Sequence, residues 1–216
     1  MTEPAQAAQS QQAQAALAQL SDQFFEVAHT ADPFGATQVG APGFDALVPD
    51  PSRAGAGRDA QRIARIEERL SHIDPGLLDQ AGRVNHAVLA HLAWAARSDI
   101  EHGLWEANAS AGGYVSPQAV VFMSVPKALL DSAEAVDGYL QRLRGLGGYF
   151  DAVTARYSQA RQDGRIPTAV GTRQAIGQIE GHVARQAHGN HRVGGHVPAD
   201  VAVDLLDGLA RPHRGR

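Results

Sequence analysis

The chain has 216 residues, 44% of them hydrophobic, with 19 Lys and Arg against 23 Asp and Glu for a formal charge of −4. The apolar content suffices for a core rich in alanine, and the acidic balance, with no basic stripe or block of like charges, excludes the usual footprints of a nucleic-acid binder and a polybasic membrane segment. The chain contains no cysteine, which excludes disulfides and thiolate metal sites.

Residues 1–10, Met-Thr-Glu-Pro-Ala-Gln-Ala-Ala-Gln-Ser, are polar and are expected to be disordered. They lack the cationic start and continuous apolar stretch of a secretory signal. No later run approaches the ~20 apolar residues needed to span a bilayer, so the expected location is cytoplasmic. From Gln11 to His29 strong helix formers predominate, and Leu17, Leu20, Phe24, Val27 and Ala28 recur at three- and four-residue spacings. Asp32-Pro33 ends that helix, because the residue before proline is pushed out of the helical region.

Residues 32–57 are rich in Gly and Pro and form a loop longer than most helix connections. Its apolar members Phe34, Val39, Phe44, Leu47 and Val48 favour a loop packed down on the helices, with a substrate-facing loop as the alternative. A second helix is predicted from Gly57 to Ile73, with Ile63, Ile66, Leu70 and Ile73 on one face. Asp74-Pro75 restarts the chain into a long helix from about Leu77 to Trp105. Its predicted core positions are Leu78, Val84, Val88, Leu92, Ala95 and Ile100. Trp94 and Trp105, eleven residues apart, fall on roughly one face and are read as core. Ala109 to Pro117 is a loop, followed by a short helix through Met123.

Another helix is expected from Ser124 or Val125 to Leu146, with Leu129, Leu130, Ala133, Val136, Leu140 and Leu143 inward. Gly145, Gly147 and Gly148 weaken its end, before the pattern resumes from Tyr149 to Gln162. Thr168 is positioned to cap a last regular helix through Val170, Ile176, Ile179 and Val183. No alternating strand pattern occurs. The expected fold is all-α, an antiparallel helical bundle over residues 11–185 with one long Gly/Pro-rich loop. From Gln186 to Arg216 the composition shifts to a tail rich in His, Gly, Arg and Pro, expected to be poorly ordered.

Ten histidines prompt a search for a metal site, and no His-Glu-x-x-His occurs. His86 and His91 are about 140° apart around a helix. Arg83, His86 and His102 read as solvated or core-edge residues. His188, His191 and His196 have gaps that suit weak transition-metal binding, with no carboxylate nearby to complete the set. Gly-x-Ser-x-Gly is absent, and neither Gly112-Gly113 nor Gly145–Gly148 matches a phosphate-cradling loop. Glu67, Glu68, Asp99 and Glu101 lie near arginines and read as salt-bridge partners on helix faces. No catalytic, cofactor-binding or metal residue is nominated.

Three segments taken together resemble a large bacterial family, domain of unknown function 885. They are Asp32-Pro-Phe-Gly-Ala-Thr-Gln-Val-Gly40 with Phe44-Asp-Ala-Leu-Val-Pro-Asp-Pro-Ser52, then Arg62 to Pro75, then Leu140-Gln-Arg-Leu143 through Gly164-Arg-Ile-Pro-Thr168 to Ile179. Members of that family look like helical zinc metallopeptidases whose C-terminal half carries the metal motif. The resemblance implies that this chain matches their N-terminal portion, over roughly residues 20–185, and lacks the catalytic elements. Zinc is expected only in a full-length relative, and the loop Asp32–Ser52 is the segment expected to face substrate or the catalytic half.

Two functions follow as expectations: an N-terminal helical part of a zinc-peptidase-like protein, inactive alone, or an intact helical interaction or ligand-binding module. In the first case Gln186–Arg216 is expected to be out-of-frame translation, and an uncovered apolar helix face to promote self-association. In the second the tail is a partner-binding arm, with Val197–Leu209 placing Val201, Leu205 and Leu209 on one helical face.

Overall fold

The computed structural model describes residues 3–109 and 116–190, and among them the chain is all-α, with seven helices and no strand. Helix α1 spans Glu3–Ala31, α2 Pro33–Gln38, α3 Arg53–Ser71, α4 Gln80–Glu101, α5 Pro117–Ser124, α6 Ala133–Gln162 and α7 Ala169–Asn190. Short 3-10 turns occupy Pro75–Leu77 and Val125–Lys127.

Helix α1 begins at Glu3, inside the segment expected to be disordered. Alanine and glutamine there are strong helix formers, and the Ser10 hydroxyl donates to the Leu77 carbonyl at 2.6 Å, anchoring that end to the turn before α4. Helix α1 stops where proline requires, and the Asp32 carboxylate accepts from the Gly35 amide at 3.0 Å to cap α2. Helix α3 starts at Arg53 rather than Gly57, because Ser52 Oγ accepts from the Gly55 amide at 3.0 Å. Asp74 caps only the 3-10 turn. A second cap, Asp79 to the Gly82 amide at 2.6 Å, starts α4. That helix ends at Glu101 rather than Trp105, closed by Gly103 in the left-handed region at φ 64°.

Helices α1, α3 and α4 form the principal core. Arg69 of α3 donates to Gln23 of α1, Arg97 of α4 donates to Glu67 of α3, and Ser10 of α1 meets the turn leading into α4, so α3 packs on both of its neighbours. Leu17, Leu20, Phe24 and Val27 pack against Ile63, Ile66, Leu70, Ile73, Leu78, Leu89 and Ala93. The stripes expected on α1 and α3 are the ones buried. On α4 the buried stripe is Gly82, Leu89 and Ala93, while Val84 is 58% exposed and Val88, Leu92 and Trp94 also face outward. Of the expected inward positions, Leu78 is buried and Ile100 packs on the core, whereas Val84, Val88 and Leu92 lie on the outer face. Gly82 lies against Gln14 of α1, and Leu89 and Ala93 lie in the core.

The first half of α6 also turns expected core residues outward. Val136, Leu140 and Leu143 are exposed, as are Leu129 and Leu130 ahead of the helix. Arg142, Tyr149, Val153, Arg156, Tyr157 and Ala160 are buried. The helix starts at Ala133, where Ser132 Oγ accepts from the Ala135 amide at 3.1 Å, and it runs unbroken through Gly145, Gly147 and Gly148. Tyr149, Val153 and Tyr157 with Ala109 make a second, smaller core, backed by Val48, Val121 and Phe150. Thr168 caps α7 as expected, its Oγ1 accepting from the Gly171 amide at 3.1 Å. The backbone of α7 continues to Asn190, beyond the break placed after Arg185. His191, His196, the segment Val197–Leu209 and the pair Gly112-Gly113 lie outside the described residues.

Candidate functional site

The segment between α2 and α3 lies along α6 as a strap. Going up α6, Gly138 stands beside Asp45 and Ala46, Gly145 beside Val48, and Arg156 reaches the Pro51 carbonyl. The two glycines are seven residues apart; Gly138 lies against strap backbone at Asp45 and Ala46, and Gly145 against the Val48 side chain. A Cβ on Gly145 would sit 3.2 Å from Val48 Cγ1.

Between the glycines lies Arg142, only 1% exposed. Its Nε donates to the Leu47 carbonyl at 2.9 Å. Its Nη2 lies 3.1 Å from the Pro33 carbonyl, 2.8 Å from Thr37 Oγ1 and 2.5 Å from the Phe44 carbonyl. The guanidinium also lies over the Phe34 ring at 5.2 Å, and that ring meets Tyr149 edge-on at 5.9 Å. Its acceptors are carbonyls and one hydroxyl, none of them a carboxylate. Burial therefore pulls the Arg142 pKa down, partly opposed by the more distant charges of Asp45 and Asp32. One planar fork thus fixes α2 and both ends of the Phe44–Leu47 turn, a geometry that an ammonium group does not reproduce.

Farther along α6 a second polar cluster gathers residues from three connections. Arg156 Nη2 donates to Asn108 Oδ1 at 2.7 Å, and Tyr157 donates to the same oxygen at 3.2 Å. The Arg156 guanidinium lies 5.1 Å from the centroids of both Trp105 and Tyr157. Burial lowers the Arg156 pKa and raises those of Tyr157 and Tyr149, the last to about 12. Next to them Glu106 is buried between two arginines: Arg53 Nε is 2.8 Å from its Oε1, and Arg165 Nε is 3.3 Å from its Oε2. The Arg53 Nε contact is an ion contact without hydrogen-bond alignment, whereas Arg53 Nη2 donates to Glu106 Oε2 at 3.1 Å. Arg53 also binds Asp163 at 2.6 Å, and Arg165 Nη1 donates to the His102 carbonyl at 2.6 Å. Chemically this arrangement fixes charge and joins the start of α3 to the turns following α4 and α6. It does not pair a nucleophile with a base.

The residues weighed from sequence are dispersed. His86 Nε2 lies 3.2 Å from the Leu70 carbonyl, His102 Nδ1 2.8 Å from the Ser98 carbonyl, and His91 packs on Trp94. Arg83 donates to the Leu78 carbonyl at 2.6 Å. Among the described residues no three His, Asp or Glu side chains are grouped to hold a metal ion. Glu67 and Glu101 both bind Arg97 at 2.5 Å, the salt-bridge role expected of them. Trp94, read as core, is 55% exposed, because it lies on the outer side of α4. The sequence reading missed Arg142 and Arg156. Their signal was the spacing of Gly138, Arg142, Gly145, Tyr149, Val153 and Arg156 along a single helical face.

No helix among the described residues is long and apolar enough to cross a membrane. No curated protein and no solved structure matches the chain. A family model described as "Bacterial protein of unknown function (DUF885)" matches residues 33–209, a region that takes in the strap, α6 and Arg142 and continues past Arg185. The chain therefore belongs to this family of bacterial proteins of unknown function, DUF885.

Proposed function

We propose that this chain is the helical, non-catalytic part of a zinc-peptidase-like assembly in the cytoplasm, and that it covers and shapes a catalytic half it does not itself contain. The observation that carries this reading is the outward aliphatic stripe of α4, formed by Val84, Val88 and Leu92 with Trp94 beside it. Apolar groups aligned over several turns mark a surface built to be covered. Helix α6 repeats the feature with Val136, Leu140 and Leu143. The strap fits the same reading, because Arg142 ties the Phe44 and Leu47 carbonyls to α6. Zinc belongs to the catalytic half in this proposal, and no residue of this chain is assigned to it. The test is to incubate the purified chain with a peptide library and added zinc. No turnover is expected. Zinc-dependent cleavage abolished by a chelator and retained after repurification would overturn the proposal.

A second reading, an intact interaction module, draws support from the family match through residue 209, which takes in the segment expected to be foreign to the family. The two readings differ over the partner. Co-expression with a metallopeptidase-like C-terminal half from a DUF885 relative should yield a stable complex under the first reading and none under the second.

A further inference from the structure

Three arginines converge on one buried carboxylate. Arg53 and Arg165 both bind Glu106, and among the described residues Glu106 is the carboxylate near enough to act on the Arg156 charge. Asp163 also binds Arg53, but its side chain is half exposed and solvent screens it. The cluster therefore sets three positive charges against two negative ones. Its deepest cation, Arg156, faces a carboxylate that the other two guanidiniums already hold.

Arg156 is also the member with an unmet donor, and it is only 5% exposed. Its Nη2 donates to Asn108 Oδ1, its Nη1 reaches the Pro51 carbonyl at 3.4 Å, and the Trp105 and Tyr157 rings lie against the guanidinium. Its Nε is buried and meets no acceptor among the described residues, and Arg53 Nε likewise lacks an aligned one. A buried N–H is as a rule met by a protein acceptor, a water or an ion. The charge count separates the last two. Water accepts the hydrogen bond and leaves the surplus cation poorly solvated, whereas an anion accepts a stronger bond and offsets the charge as well. The partly exposed side chains of Arg53 and Arg165 open the cluster to solvent. Burial of Arg156 and Glu106 keeps the space beside them small.

We propose that the cluster around Glu106 binds a monovalent anion of halide size at Arg156 Nε, beside Arg53. Arg156 belongs to α6, Arg53 to the start of α3 and Glu106 to the turn after α4, so the anion completes a contact among three elements and its binding is read as stability. The inference stands apart from the proposed function, since no catalytic half takes part in the site.

Thermal unfolding of the full chain tests it. Replacing methanesulfonate, a larger anion of the same charge, by chloride at constant ionic strength should raise the midpoint by about 2–4 °C along a saturating curve. Arg156→Gln should have the same midpoint in both salts. Equal midpoints for the unaltered chain, or an undiminished chloride effect in Arg156→Gln, would overturn the proposal. Trp105 supplies a second reading that leaves the cluster unaltered. In Trp94→Phe it is the sole tryptophan, and its ring centroid lies 5.1 Å from the Arg156 guanidinium carbon. Bromide, a heavy-atom quencher, should dim its fluorescence along a saturating curve, and chloride should displace it. Linear quenching that chloride does not relieve would mean collisions with free ions alone, and no site.

Discussion

Arg142 shows how a single side chain can set the path of a whole segment. Pro33, Phe44 and Leu47 lie far from it in sequence, yet their carbonyls converge on its guanidinium. Removing the fork while leaving the acceptors buried incurs their desolvation cost, at about 1–3 kcal/mol for each unsatisfied group. Arg142→Ala should therefore destabilise the protein by about 3 kcal/mol or more, read as a lower urea midpoint, and should open the strap between residues 38 and 52 to limited proteolysis. Arg142→Lys should recover only part of the loss, because an ammonium cannot reach acceptors on both sides. Full recovery by lysine would mean that charge rather than fork geometry holds the strap. Tyr149 next to it reports the same burial through pH. Its folded pKa of about 12 stands above the ordinary value of 10.0. A raised folded pKa contributes stability that is intact below pH 10 and is lost as pH rises toward about 12. Ultraviolet titration should therefore show Tyr149 ionising late, together with unfolding, and Tyr149→Phe should lessen the alkaline loss of stability. Ionisation near pH 10 in a chain that remains folded would contradict the buried placement.

At the scale of elements, the helices divide by how they make contact. The stripes of α1 and α3 were legible in sequence because large aliphatic residues form them and those same residues are buried. The caps at Asp32 and Thr168 were legible because capping is local chemistry. On α4 and the first half of α6, Val84, Val88, Leu92, Val136, Leu140 and Leu143 face outward against expectation, whereas Val153 and Tyr157 farther along α6 are buried as their pattern suggests. Gly82 and Ala93 on α4, and Gly138, Arg142 and Gly145 on α6, are residues that a search for large apolar side chains discounts, yet they form the close contacts. Paired substitutions on α4 decide between its two faces. Leu89→Ala should cost about 2–5 kcal/mol, the usual range for a buried leucine. Val88→Ala, one position along, should stay within about 0.5 kcal/mol, as expected away from the core. Chemical denaturation of the two variants checks both, and a reversed order would restore the face suggested by sequence alone.

For the molecule as a whole, α4 and α6 have a common consequence. Each has large apolar residues in a core, Leu89 on α4 and Tyr149, Val153 and Tyr157 on α6, yet leaves further aliphatic side chains outward, so the surface carries Val84, Val88, Leu92 and Trp94 on α4 and Val136, Leu140 and Leu143 on α6. Covering such stripes removes apolar area from water at roughly 25 cal/mol per Å². When the chain is alone, a second copy is the apolar surface at hand. Dynamic light scattering should therefore show self-association that increases with concentration, and the fluorescence of Trp94 should shift to the blue as its ring leaves water. Val88→Glu with Leu92→Glu should abolish both signals without lowering the unfolding midpoint by more than about 0.5 kcal/mol, because neither residue belongs to the core. Added salt should strengthen association of the unaltered chain, since burial of apolar area drives it and excluded salts reinforce burial. If the chain remains monomeric at high concentration while the Trp94 environment is already dry, a segment of the chain itself covers α4. The outward stripe would then be an internal contact rather than the docking face on which the proposed function depends.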